Sequence, residues 1–203
     1  MGKTKGNRRE SKTYRKDGDI MRYAGIIYDD TAAAPGLCLS FYTQGCDLHC
    51  PGCHNPHTWD FDGGHEFTAE TMDHILSGIN KDGVTRNFAI LGGEPLNPKN
   101  LFLTAMVVQS VRHAYPQIKI WIWTGYTMDE VIHAANQSHL KLILQNINTL
   151  VTGPFIQEQR DITLKYRGSS NQEVWSLDPE KNIWYNLLDD KCGRTYPNVR
   201  TKE

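Results

Sequence analysis

Three cysteines fall within eight residues, Cys46-Asp47-Leu48-His49-Cys50-Pro51-Gly52-Cys53, and this cluster constrains the chain more than any other feature of it. Thiols at C-x3-C-x2-C spacing are placed for ligation, and the loop that carries them must turn their side chains toward a common space. Cys38 and Cys192 stand apart, so the count is five and odd. The chain starts Met-Gly-Lys-Thr-Lys-Gly-Asn-Arg-Arg, which is basic but has no apolar stretch behind it, so no export signal and no disulfide framework are expected. No run of about 18 apolar residues occurs, so no membrane span is expected and the cytoplasm is the expected location.

Spacing alone leaves several occupants open. A closed zinc site needs a fourth ligand, which His49, His54 or His57 could supply. Cys50-Pro-Gly-Cys53-His54 also fits the C-x-x-C-H pattern of covalent haem attachment, but that leaves Cys46 without a role, and such attachment usually occurs outside the cytoplasm. Cys50 and Cys53 could form a redox C-x-x-C, although no thioredoxin-like context surrounds them. A [4Fe–4S] cluster on three thiolates uses Cys46, Cys50 and Cys53 together. Electron-transfer clusters take four Cys, so three ligands leave one iron open and imply chemistry on something bound there.

The remainder reads as strand–loop–helix alternation. Two strands are predicted in 21–45, separated by a Pro35-Gly36 turn, with Cys38 as a small buried hydrophobe on the second. Thr68 is placed to cap a helix over 68–80, with Met72, Ile75, Leu76 and Ile79 on its inner face. A buried strand, Asn87–Leu91, leads into the loop Gly92-Gly93-Glu94-Pro95-Leu96, and a helix over 98–114 follows with Pro98 in its first turn. Next come the strand 118–123, the loop Thr124-Gly125-Tyr126, a helix from Thr127 through Asn136, a short helix near 138–146, and the strand Asn148–Val151 ending in Thr152-Gly153-Pro154. Trp121 and Trp123 share one strand face and read as core. This order predicts an α/β fold with parallel strands and right-handed crossovers, which gathers the loops at the carboxyl ends of the strands along one edge.

Charge divides the chain unevenly. Residues 1–20 hold seven of the 22 basic residues and three of the 23 acidic ones, so a basic, disordered leader precedes a mildly acidic body. A nucleic-acid contact by this leader is the less favoured reading, and a zinc-stabilised nucleic-acid-binding module is the competing function from another class. Residues 179–203 read as a C-terminal tail, with Cys192 as a spare thiol.

The cysteine triplet ahead of a strand–helix series, followed by Gly92-Gly93-Glu94-Pro95, resembles the radical S-adenosylmethionine enzymes. Within them, Cys50-Pro-Gly-Cys53-His54-Asn55, Thr58-Trp59, Trp123-Thr-Gly-Tyr126, Gly153-Pro-Phe-Ile156 and Arg167-Gly-Ser-Ser-Asn-Gln172 are similar to the activating proteins of anaerobic ribonucleoside-triphosphate reductase, over residues 21–178. Glu94 stands where that family more often has Asp, and His54 where Tyr is common. Both forms occur in activases of pyruvate formate-lyase, the alternative partner class.

The resemblance implies a partial, open (β/α) barrel of the radical S-adenosylmethionine type over 21–178. It implies that Cys46, Cys50 and Cys53 bind three irons and that the fourth chelates the amino and carboxylate groups of S-adenosylmethionine. Gly92, Gly93 and Glu94 are then expected at the methionine end, the backbone of Gly52, Cys53 and His54 at the adenine, and Thr124 and Gly125 at the ribose. The implied product is a glycyl radical on the large subunit of the reductase, with an electron donor such as a flavodoxin. The segment Arg167–Gln172 is expected to act as a docking or lid element.

Overall fold

The computed structural model describes residues 13–16, 18–188 and 193–199. Its strands are β1 (Arg15–Lys16), β2 (Asp19–Ile20), β3 (Arg22–Asp30), β4 (Cys38–Thr43), β5 (His65–Glu66), β6 (Asn87–Gly92), β7 (Ile120–Trp123), β8 (Thr149–Thr152), β9 (Glu173–Asp178), β10 (Ile183–Asn186) and β11 (Thr195–Pro197). Its α-helices are α1 (Ala69–Ile79), α2 (Leu101–Ala114), α3 (Met128–Ala134) and α4 (Ser138–Asn146). β1 and β2 form a small hairpin, and the other nine strands form one sheet in the order β11-β10-β9-β8-β7-β6-β4-β3-β5. The four central strands β4, β6, β7 and β8 are parallel and the flanking pairs antiparallel. β5 and β11 do not pair with each other, so the fold is mixed α/β with an open sheet.

Alternation along the parallel strands decides the two faces. Leu39, Phe41, Phe88, Ile90, Ile120, Ile122 and Leu150 point to one side, where they pack with Ile75, Val107, Val111, Leu140 and Ile143 of the helices. Cys38, Ala89, Trp121 and Val151 point to the other, against Ala33 and Ala34. Burial and the charge of Asp30 push the Cys38 thiol up to about 11, so it stays a neutral filler.

Some of the predicted boundaries shift. α2 starts at Leu101 instead of Pro98, because the Asn97 carbonyl accepts from the N–H groups of Asn100 (2.8 Å) and Leu101 (2.9 Å) and holds 97–100 in a turn. The sheet also continues past residue 178: β10 pairs with β9, β11 pairs with β10, and Trp184 is fully buried. The part of the leader that is described is ordered. Tyr14 packs on Phe67 at 5.7 Å between ring centroids, and its N–H bonds the Phe67 carbonyl at 3.0 Å. Residues 1–12 and Cys192 lie outside the described residues.

α1 opens with a reciprocal cap: Thr68 Oγ1 accepts from Thr71 N–H at 3.2 Å, and Thr71 Oγ1 accepts from Thr68 N–H at 3.3 Å. Thr68→Ala is expected to lower stability by about 1 kcal/mol, read from the midpoint of urea unfolding, because it leaves a first-turn donor without its acceptor.

Candidate functional site

The carboxyl ends of β4, β6 and β7 deliver three loops to one place. Beyond β4, the cysteine loop folds back on itself: Gly45 N–H bonds the Thr58 carbonyl (2.8 Å), Cys46 N–H the Trp59 carbonyl (3.0 Å) and Cys53 N–H the Cys50 carbonyl (3.1 Å). Gln44 fastens the far side through Nε2 to the Asp60 carbonyl at 2.6 Å. Cys46 is buried at the base, and Cys50 and Cys53 are half-buried nearer the rim. Burial pushes the Cys46 thiol up, opposed by hydrogen bonds from the backbone N–H groups of Leu48 and His49. Asn55 N–H reaches Cys53 Sγ at 3.4 Å.

All three cysteines line one cavity of about 220 Å³, together with His54, Gly92, Gly93, Glu94, Thr124 and Gly125. Gly52 alone of the predicted residues is not on its wall; it adopts φ +73° beside it, with the Gln157 side chain packed where a Cβ would stand. Among the described residues no three His, Cys, Asp or Glu side chains converge as ligands of a single ion. A cluster does not ask for that convergence, since each thiolate binds a different iron. Three thiols around one cavity, two of them met by backbone N–H donors that stabilise negative sulfur, fit such a group. A larger cavity of about 670 Å³ lies between residues 18–22 and 98–103 and holds none of the predicted residues.

The Gly92-Gly93-Glu94 loop sits directly on the base of the cysteine loop. Gly93 N–H bonds the Thr43 carbonyl (2.9 Å) and Glu94 N–H the Gly45 carbonyl (2.8 Å). A Cβ on Gly93 would collide with the Gly45 carbonyl oxygen, so only glycine permits this approach. Glu94 is 1 % exposed, and its carboxylate accepts three internal hydrogen bonds: Oε1 from Leu96 N–H (2.9 Å) and Thr124 Oγ1 (2.7 Å), and Oε2 from Gly125 N–H (2.7 Å). The place at the methionine end that the resemblance gives this carboxylate therefore competes with three internal bonds. Glu94 ties the β6 loop to the β7 loop. Burial pushes its carboxyl up to about 7, against the pull of those three donors. Thr124 Oγ1 also accepts from Tyr126 N–H at 3.2 Å, so its hydroxyl is committed within the protein.

The fourth wall comes from the connection between β8 and β9. Phe155 meets the His54 ring at 5.5 Å, and Gly153, Gly168 and Gln172 complete the lining. The run Arg167–Gln172 turns its polar groups inward: Gln172 Oε1 accepts from Gly168 N–H (2.8 Å), Gln172 Nε2 bonds the Gly153 carbonyl (3.0 Å), and Asn171 Nδ2 bonds the Pro154 carbonyl (2.8 Å). It frames the wall from within. Trp123, read from the sequence as core, lines this cavity and an adjoining one of about 390 Å³ that also contains His54, Arg160 and Tyr166. Phe155 and Gln172 gave no sequence signal of their own beyond the resemblance.

The chain matches the family described as "4Fe-4S single cluster domain" over residues 32–175. It is similar to the anaerobic ribonucleoside-triphosphate reductase-activating protein of Salmonella typhi, 37% identical over 158 residues that cover 77% of this chain and 99% of the relative. The Escherichia coli (strain K12) protein of that name is 38% identical over the same lengths. Its namesake in Enterobacteria phage T4 is 29% identical over 158 residues, 77% of this chain and 94% of the relative.

Proposed function

Because the chain belongs to the family of anaerobic ribonucleoside-triphosphate reductase-activating proteins and carries a 4Fe-4S single cluster domain, we propose that it is a radical S-adenosylmethionine activase that installs a glycyl radical on the large subunit of that reductase. The observation that carries the reading is the single cavity shared by Cys46, Cys50, Cys53 and the Gly92-Gly93 loop. The open sheet is read as the partial barrel of this superfamily. The three thiolates would hold three irons, leaving the fourth for the amino and carboxylate groups of S-adenosylmethionine. When bound, these groups would supply reductive one-electron cleavage of the sulfonium, the electron coming from an external donor, and with it the hydrogen-atom abstraction that a glycyl radical requires.

The protein's share is orientation and exclusion of water. Gly92 and Gly93 bring backbone within reach of the methionine end, Glu94 locks that backbone against Thr124 and Gly125, and His54 with Phe155 offers aromatic surface to the adenine. The adjoining cavity beside Arg160, Ile162 and Tyr166 offers a polypeptide a way to Trp123 and His54. The electron donor proposed is a flavodoxin or a protein like it.

The test is to mix the anaerobically reconstituted, reduced protein and S-adenosylmethionine with the reductase large subunit, and separately with pyruvate formate-lyase. A glycyl radical doublet in the electron paramagnetic resonance spectrum is expected with the reductase alone. A doublet on formate-lyase alone would reassign the partner. Stoichiometric zinc without iron uptake would remove the chemistry altogether.

A further inference from the structure

Asn100 stands at the N-cap position of α2, where an Asn side chain ordinarily accepts from an N–H of the first helical turn. Its side chain makes no such bond. It is turned inward, 6 % exposed, and its Nδ2 donates to two carbonyl oxygens, Gly45 at 3.0 Å and Glu94 at 2.9 Å. Gly45 immediately precedes the first cluster thiol, and Glu94 immediately follows the glycine pair. One carboxamide thus holds the ends of two loops that meet nowhere near each other in sequence, and it does so in place of capping its own helix.

The Gly45 carbonyl is the common point. It accepts from Asn100 Nδ2 and from Glu94 N–H (2.8 Å), while the Asn100 N–H itself is used by the Asn97 carbonyl at 2.8 Å. A planar amide with two N–H groups can bridge two oxygens only at a fixed separation. Resting on the reading above, we propose that Asn100 is a positioning residue, which sets the distance between the cysteine loop and the Gly92-Gly93 loop and thereby lets one small amino-acid-bearing cofactor reach both. Its side chain is not part of the lining of the cavity that the three thiols share.

The experiment compares anaerobically reconstituted wild type, Asn100→Ala, Asn100→Ser and Tyr115→Phe. The last removes one hydrogen bond, Tyr115 Oη to the Leu76 carbonyl at 2.7 Å, at the opposite end of α2. Each protein is titrated with S-adenosylmethionine by calorimetry. Iron content, melting temperature and the change that the cofactor causes in the spectrum of the reduced cluster are recorded alongside. Both Asn100 variants are expected to keep wild-type iron, to bind the cofactor at least tenfold more weakly and to show an altered cofactor-bound spectrum. Tyr115→Phe is expected to lose a comparable amount of thermal stability and to bind as wild type does. Binding within twofold of wild type in the Asn100 variants overturns the proposal, as does loss of fold in both of them with Tyr115→Phe intact. A wild-type protein that takes up iron but does not bind S-adenosylmethionine overturns the functional reading itself, and the positioning role with it.

Discussion

Cys46→Ala protein is expected to emerge from anaerobic reconstitution without a cluster, where the wild type takes up about four irons per chain. The substitution isolates ligation from folding. Cys46 holds its place through its backbone, with its N–H on the Trp59 carbonyl at 3.0 Å, and alanine keeps that bond. The lost volume is one sulfur, which costs roughly 1 kcal/mol in a buried site. Iron and sulfide analysis should therefore fall to background while the melting temperature of the metal-free protein stays close to that of wild type. A full complement of iron in the variant would show that another side chain occupies this position, and the open iron would have to be sought elsewhere.

Glu94→Ala carries the second large effect, and its size depends on pH. Removal of the carboxyl leaves Leu96 N–H, Thr124 Oγ1 and Gly125 N–H without their acceptor, a loss of roughly 3 kcal/mol for three buried donors. Burial raises the carboxyl from 4.5 to about 7 in the folded protein, so the native state holds its proton more tightly than the unfolded chain does. The advantage of wild type over the variant is then fully present below pH 4.5 and shrinks by up to roughly 3 kcal/mol as pH rises through 7. Denaturant unfolding of the two metal-free proteins at pH 5 and pH 8 checks this: a wide gap at pH 5, a narrow one at pH 8. Cofactor affinity should remain impaired in the variant at both, since the β6 and β7 loops have lost their tie. A gap that widens with pH would mean that Glu94 is stabilised as the charged form.

Local pattern revealed the middle of the fold. β4, β6, β7 and β8 are short apolar runs bounded by Gly, Pro or Thr, and α1 and α3 announce themselves through Thr68 and Thr127. The signal failed where pairing partners lie far apart or composition is mixed. Ile183–Asn186 alternates only weakly and Thr195–Pro197 contains a proline, so neither reads as a strand until β9 is in place to pair with. Tyr14 sits in a charged stretch that gives no hint of Phe67.

The site follows the same division. Spacing marks Cys46, Cys50 and Cys53, and a strand followed by two glycines marks Gly92 and Gly93. What the sequence does not disclose is who bonds whom across 30 to 55 residues: Thr124 to Glu94, Gly125 to Glu94, Asn100 to Gly45. The sequence reading puts Asn100 inside a helix over 98–114, and only the fold shows it ahead of α2 with its side chain turned to the two loops. Trp123 likewise shares a face with Trp121, yet it stands one pleat nearer the loop ends and so borders open space.

The parallel centre and the antiparallel flanks tolerate change in chain length very differently. One residue inserted between Thr43 and Cys46 would put the Thr43 and Gly45 carbonyls out of step with the Gly93 and Glu94 amides that they receive. The same insertion at 179–182, between the paired ends Asp178 and Ile183, would only enlarge a solvent-facing bend. Drift in length among chains of this kind should accumulate at the outer hairpins, with the spacing from 43 to 46 and from 92 to 100 held constant.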